Sequence, residues 1–323
     1  MTSRSFLCGL VLLITSACAA PGDNLSNKPI ASDDGSGQAR ASDSQIRNEV
    51  IDLTLYFLET RESGDDWIKY PVTKWDRPIT YSVIGAYTPK QEAVIADHVE
   101  LLTHQTSIEI TRQGPIAKPV ISDRLAKNSA LVFDAGSDYI FSMRWGSQQL
   151  DFDTVTTIGY GREAFVYRSN LTVFFANAKV LGRLIQILGE NSTANAMAQG
   201  SQPCIAISFP PRKAPAALTH PQNIVLGFVF IRSDLEEWMT TRCIHEEMTQ
   251  VMGINNDLKG SDLTLFDEDL AGKKTELTAL DKFVLRVLYD PRISPGMEGD
   301  ELKETVTRIV DEKEPSALRK LIE

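Results

Sequence analysis

Residues 224–257 read IVLGFVFIRSDLEEWMTTRCIHEEMTQVMGINND. The first eight are β-branched, aromatic or aliphatic apart from Gly227, which predicts a strand. LEEWMTTRCIHEEMTQVM, at 235–252, follows with no breaker and predicts a helix, introduced by Ser233 and Glu236 at capping-box spacing. Gly253 is the residue expected just past a helix end. Glu246 and Gln250 are four apart and share one helical face, Glu247 sits beside the first, and Asn256 and Asp257 fall in the turn after the glycine.

Upstream, IRNEVIDLTLYFLET (46–60) has helical spacing and opens the ordered region. Trp75-Asp76-Arg77-Pro78 precedes a strand, ITYSVIG (79–85), then a helix in 89–108 with Pro89 near its start, and a strand in IEITR (108–112). SALVFDAG (129–136) and YIFSMRW (139–145) are further strand candidates. LTVFFANAKVLGRLIQILG (171–189) reads as a strand continuing into a helix, its apolar stripe being core. The stretch 210–223 is a proline-interrupted loop. LTALDKFVLRVLYD (277–290) is a helix closed by Pro291, and the charged tail from Glu301 reads as a solvated surface helix. No internal repeat is present. Strands and helices in this mixture predict an α+β fold.

The chain has 323 residues, 42% of them hydrophobic, enough for one large core or two modest ones. Its 43 acidic against 33 basic residues give a formal charge of -10, with no basic run to follow a phosphate backbone, so nucleic acid is excluded as a partner. The N-terminus carries an address. Arg4 supplies a positive region, Phe6 to Ile14 form an apolar stretch too short to span a bilayer, and small residues follow, which is the pattern of an export signal.

Thr15-Ser16-Ala17-Cys18 resembles a bacterial lipobox, in which the cysteine is diacylated and becomes the new N-terminus. The resemblance implies a periplasmic-facing protein anchored in a membrane through Cys18, the outer membrane in preference to the inner because Ala19 is not Asp. Ordinary cleavage at Ala17-Cys18-Ala19 is the alternative. Residues 21–45 are rich in Gly, Ser, Asp and Asn and read as a flexible tether. The expected organisation is a lipoprotein-type signal peptide at 1–17, a tether at 18–45, one domain at 46–297 and a helical tail at 298–323. Of four cysteines, Cys8 and Cys18 belong to the leader. In an exported protein the economical expectation for Cys204 and Cys243 is a disulfide, with two buried thiols as the other reading.

The segment around Gly253 resembles the metzincin string HExxHxxGxxH, in which two histidines one helical turn apart and a third after the glycine bind zinc, and the Glu is the general base. In register with Gly253, Glu246, Gln250 and Asn256 stand at the three histidine positions and Glu247 at the general base. A second register, opening on His245-Glu246, puts Thr249 at the second ligand position. The element order is also similar: a strand after Trp-x-x-Pro, a backing helix, more strands, an edge strand (IVLGFVFI, 224–231), and an active-site-type helix ending at glycine. The resemblance therefore implies a zincin-like mixed sheet. The chain more closely resembles a proteobacterial family of lipoproteins of unknown function that shares the CxHEExxQ…G…ND core and the LYDPRxxPGM ending at 288–297.

A carboxylate and two amides in place of three imidazoles are hard oxygen donors, poorly suited to zinc. No cofactor is expected, and calcium or magnesium on Glu246, Gln250, Asn256 and Asp257 is the metal alternative. A hydrogen-bonded, metal-free cleft is the rival, with Glu246 paired to Arg242 one turn earlier. His98, His104 and His220 could join His245 in a rebuilt site, though a lone helical histidine is more often structural. The acidic loop at 257–270 departs from the EF-hand string. Two functions remain open: a non-catalytic domain binding a peptide or envelope component, and an unconventional hydrolase using Glu246 and Glu247.

Overall fold

A computed structural model describes residues 41–62, 68–113, 169–187, 191–209, 223–224, 226–254, 256–258, 261–266 and 274–322, with short strands at 13–14, 131–132, 143–145, 148–150, 156–160 and 163–167. Cys18, most of the tether, His220 and parts of the acidic loop lie outside the described residues.

The fold is α+β. Helix α1 (Asp43–Leu58) is followed by β1 (Ile79–Gly85), α2 (Pro89–Thr106), β2 (Ile110–Arg112) and β3 (Leu171–Ala176). Then come α3 (Ala178–Ile187), α4 (Asn191–Gln199), β4 (Cys204–Phe209), β5 (Leu226–Arg232) and α5 (Glu237–Gln250). The chain continues through α6 (Ala279–Leu288), α7 (Gly299–Asp311) and α8 (Pro315–Ile322). Local chemistry sets several starts. Ser42, Thr88 and Thr278 each close a capping box, and Pro89 fills the first turn of α2, where its missing N–H costs nothing.

The five strands form one mixed sheet in the order β4-β5-β3-β1-β2, with Leu13–Ile14 lying outside β4. β2, β1, β3 and β5 are mutually parallel. β4 alone runs antiparallel to its neighbour, pairing Cys204 with Ile231 and Ala206 with Val229. The expectation that IVLGFVFI is an edge strand is corrected here. β5 lies between β3 and β4, and its residues are buried on both faces, as a near-continuous apolar run requires.

Successive side chains alternate between faces. Val173, Phe175, Val229, Ile231, Cys204 and Ala206 join the large core beneath α1, α2 and α5–α8, whereas Phe174, Phe228, Phe230, Ile205 and Ile207 meet α3 and α4 on the other side. The tail also departs from its reading as a solvated helix. It forms α7 and α8, whose Leu302, Val306, Ile309, Val310 and Leu318 are buried in the large core. The capping box expected at Ser233 does not form. Asp234 is held by the Arg232 guanidinium, so the chain turns once more and α5 starts after Glu236 without a side-chain cap.

Candidate functional site

Helix α5 packs against α2, β4 and β5, and so presents different residues to different neighbours. Toward β4 it turns Cys243 and Glu247. Cys243 forms the disulfide with Cys204, Cα atoms 5.9 Å apart, so the pair is bridged and the reading of two free thiols falls. One helical turn on, the Glu247 carboxylate accepts a hydrogen bond from the backbone of Ala206. Two strand residues advance about 6.6 Å and four helical residues about 6 Å, so the disulfide and the carboxylate contact form two rungs between strand and helix. Glu247 is 4% exposed and its Oε2 has no hydrogen-bond partner. Burial first, then Glu246 and Asp257, push its pKa well above the ordinary carboxylate range, while the Ala206 contact and Arg242 oppose the shift.

Glu246 turns to Arg242, whose Nε lies 3.2 Å from Glu246 Oε2 and whose Nη2 donates to the Leu265 carbonyl at 2.7 Å. Burial and then Asp257 raise the Glu246 pKa to about 8 against the pull of Arg242. Gln250 Nε2 donates to Asp257 Oδ1 at 2.6 Å. Asn256 points elsewhere. Its Nδ2 donates to the carbonyls of Glu59, at 2.6 Å, and Tyr56, groups that the last turn of α1 leaves without a helical partner. Glu246, Glu247, Gln250 and Asp257 therefore gather with Arg242, and Asn256 serves as a cap for α1.

The helix break is enforced by geometry. Gly253 has φ +114°, and a Cβ there would lie 2.1 Å from the Thr73 carbonyl oxygen. The carbonyls before it are capped from afar: Trp75 Nε1 donates to Val251 O at 3.0 Å, and Tyr289 Oη donates to Met252 O at 2.9 Å. The tryptophan of the Trp-x-x-Pro entry and the tyrosine of the LYDPR ending thus share one task, closing the end of α5. Asp281, fully buried, receives Thr264 Oγ1, Leu265 N and Thr278 N, and anchors α6 beside the same loop.

On its third side α5 turns His245 and Thr249 to α2. The rings of His98 and His245 stack with centroids 4.6 Å apart. Thr249 Oγ1 donates to the His245 carbonyl at 2.6 Å, so it accepts from His98 Nε2 at 3.0 Å, which assigns the proton to that nitrogen. His245 Nδ1 donates to the Thr275 carbonyl. Burial lowers both histidine pKa values, that of His98 much further. Nothing local in the sequence marks this pair, because its members lie on helices far apart in the chain. His104 is exposed beside Gln105. Among the described residues no group of three or more His, Cys, Asp or Glu is arranged to hold a metal ion.

A family model described as a protein of unknown function (DUF2927) matches residues 43–308. No curated protein and no solved structure matches the chain.

Proposed function

The chain belongs to the DUF2927 family, and from that premise we propose an exported, lipid-anchored protein whose domain keeps a metallopeptidase-like framework without zinc or catalysis and binds an extended peptide of the cell envelope along β4. The observation that carries this reading is the state of the three histidine positions. Glu246 is held by Arg242, Gln250 by Asp257, and Asn256 by the end of α1. Each side chain is committed to the protein itself. The residues present do not fit zinc: the one carboxylate is paired with a guanidinium, and the two amides offer only neutral oxygen donors where zinc takes imidazole nitrogens.

Support for the framework comes from element order. A strand after Trp75-x-x-Pro78, the backing helix α2, an antiparallel outer strand and a helix ending at a glycine with positive φ are all present. Support for peptide binding comes from the outer strand. Arg232 N donates to Pro203 O, so by the alternation of an antiparallel ladder Cys204, Ala206 and Ser208 turn their N–H and C=O groups outward. Glu247 already takes the Ala206 N–H and Gln202 the Cys204 carbonyl, which leaves the stretch around Ser208 for pairing. Leu13–Ile14 runs antiparallel there, opposite Ser208 and Ile207, so the edge admits extended chain. Those two residues belong to the segment expected to be removed with the signal peptide. A peptide adding to β4 would use the same groups.

The hydrolase reading has a carboxyl at Glu247 pushed by burial toward the acid form in its favour, but a carboxyl 4% exposed and tied to the β4 backbone is poorly placed to meet a substrate. Metal analysis of the secreted domain discriminates the two. Stoichiometric zinc, with a peptidase activity abolished by Glu247→Gln, would sink the proposal. Binding along β4 is tested with Ser208→Pro, which deletes one outward N–H and leaves the β5 ladder intact. Capture of extended envelope peptides on an array should be lost in that variant, and equal capture would rule the edge out. Cys18→Ser should release the protein from the membrane fraction.

A further inference from the structure

Ser208 stands on the outer strand with its hydroxyl unmet. It is 1% exposed, and its Oγ has no hydrogen-bond partner among the described residues, where a buried hydroxyl ordinarily has one. The sheet register gives the reason. Leu13, Ser208, Gly227, Leu171 and Tyr81 lie opposite one another in adjacent strands, so their side chains fall in one row on the large-core face. The inward neighbour in that row is a glycine. Hydrocarbon holds the space its side chain would take: Val251 Cγ2, Leu171 Cδ1 and Trp75 Cζ2 lie 2.6, 3.2 and 3.3 Å from where a Cβ would stand. Two residues back along β4, on the same face, is Ala206. Glu247, which reaches Ala206 from α5, has an unpartnered oxygen of its own, so the two polar groups do not meet. On the outer side stands Leu13, whose side chain can neither donate to a hydroxyl nor accept from it.

We propose that Ser208 is a specificity-determining residue of the β4 edge, and that the peptide bound there runs antiparallel to β4 and places a serine or threonine opposite Ser208. The inference rests on the edge-binding reading above and names the class of peptide the edge takes. Within the row, the outer strand is the one side from which a partner for the hydroxyl can come. Residues directly opposite on neighbouring strands have Cβ atoms about 5 Å apart, a gap that two hydroxyls bridge. Threonine suits the place twice over, since its branched side chain favours extended backbone and its hydroxyl both donates and accepts. The outward N–H and C=O of Ser208 engage the same peptide residue through the main chain, as the antiparallel pairing with Leu13 shows. Main-chain bonds are blind to side chains, so the hydroxyl pair supplies the selection.

The test uses the purified mature protein and synthetic peptides whose register the chain itself supplies: residues 9–16, GLVLLITS, flanked by lysines for solubility, as they stand and with Leu13→Val or Leu13→Thr. Binding is read by fluorescence anisotropy. The Leu13→Thr peptide should bind wild type about fivefold tighter than its isostere Leu13→Val, the worth of one hydrogen bond made to a buried group. Ser208→Ala removes only an unmet hydroxyl, should melt no lower than wild type, and should bind the two peptides alike. Equal binding of the two peptides to wild type overturns the inference, and so does a threonine preference that survives in Ser208→Ala. The reading beneath it fails differently. If none of the peptides binds wild type, or if Ser208→Pro, which lacks the outward N–H, binds them all as wild type does, the edge is not the site and the inference falls with it.

Discussion

Helix α5 carries two buried ionisable clusters on different sides, and burial acts on them in opposite directions. On the β4 side the glutamates Glu246 and Glu247 are pushed up, toward the protonated acid. On the α2 side His98 and His245 are pushed down, toward the free base. Both movements disfavour charge in a low-dielectric interior, so on each side burial works against the ionised form. The clusters differ in how completely their hydrogen bonds are met. Thr249 and Thr275 take up the protons of the two histidines. The acid side has a guanidinium at its centre and an unpartnered oxygen at Glu247. One side is a satisfied joint between helices, and the other is a charge balance.

The largest effect should come from removing that balance. Arg242→Met strands buried carboxylates without their cation and should cost about 3–5 kcal/mol in denaturant unfolding, as loss of one partner from a buried ion pair does. Glu246→Gln should cost far less, because the guanidinium keeps the Leu265 carbonyl and the cluster sheds a negative charge. Equal losses in the two variants would mean that packing, not charge, is what Arg242 supplies.

The histidine side should break more cheaply. Thr249→Val conserves shape but removes the hydroxyl that accepts from His98 Nε2–H, leaving it the His245 carbonyl alone, for about 0.5–1.5 kcal/mol. Chemical-shift mapping should place the disturbance at the α2–α5 joint. A disturbance that reached Glu247 would show the two clusters to be one.

These contrasts were unevenly legible in the sequence. Gly253 could be read because only glycine accepts φ +114° against the Thr73 carbonyl, and the pairing of Glu246 with Arg242 followed from one turn of helix. The disulfide was legible from the count of cysteines and the expectation of export. The place of β5 in the sheet was misread, although its unbroken apolar run carried the signal of a strand covered on both faces, and the smaller residues of CIAISF marked the outer strand. Asn256 capping α1 and His98 meeting His245 join segments distant in the chain, and no local periodicity encodes such pairings. The same holds for Trp75 and Tyr289, whose motifs could be quoted but whose common task at the end of α5 needed the fold.

The finest distinction between the two sides is in pH. A glutamate raised from its ordinary 4.5 contributes stability that is fully present below 4.5 and lost as pH rises through the folded value, about 8 for Glu246 and well above the ordinary carboxylate range for Glu247. A histidine lowered from 6.5 contributes stability that is present above 6.5 and lost as pH falls below it, since the unfolded chain then takes the proton first. Between those two ordinary values the slopes oppose each other, so the melting temperature should be flat there and fall on both sides, the acid limb belonging to the histidines and the alkaline limb to the glutamates. Glu247→Gln keeps an acceptor for the Ala206 N–H while removing the titration. It should flatten the alkaline limb and let stability rise with pH across the former plateau, leaving the acid limb unchanged. An alkaline limb unchanged in this variant would place the titrating group elsewhere and leave Glu247 a neutral strut between strand and helix at every pH tested.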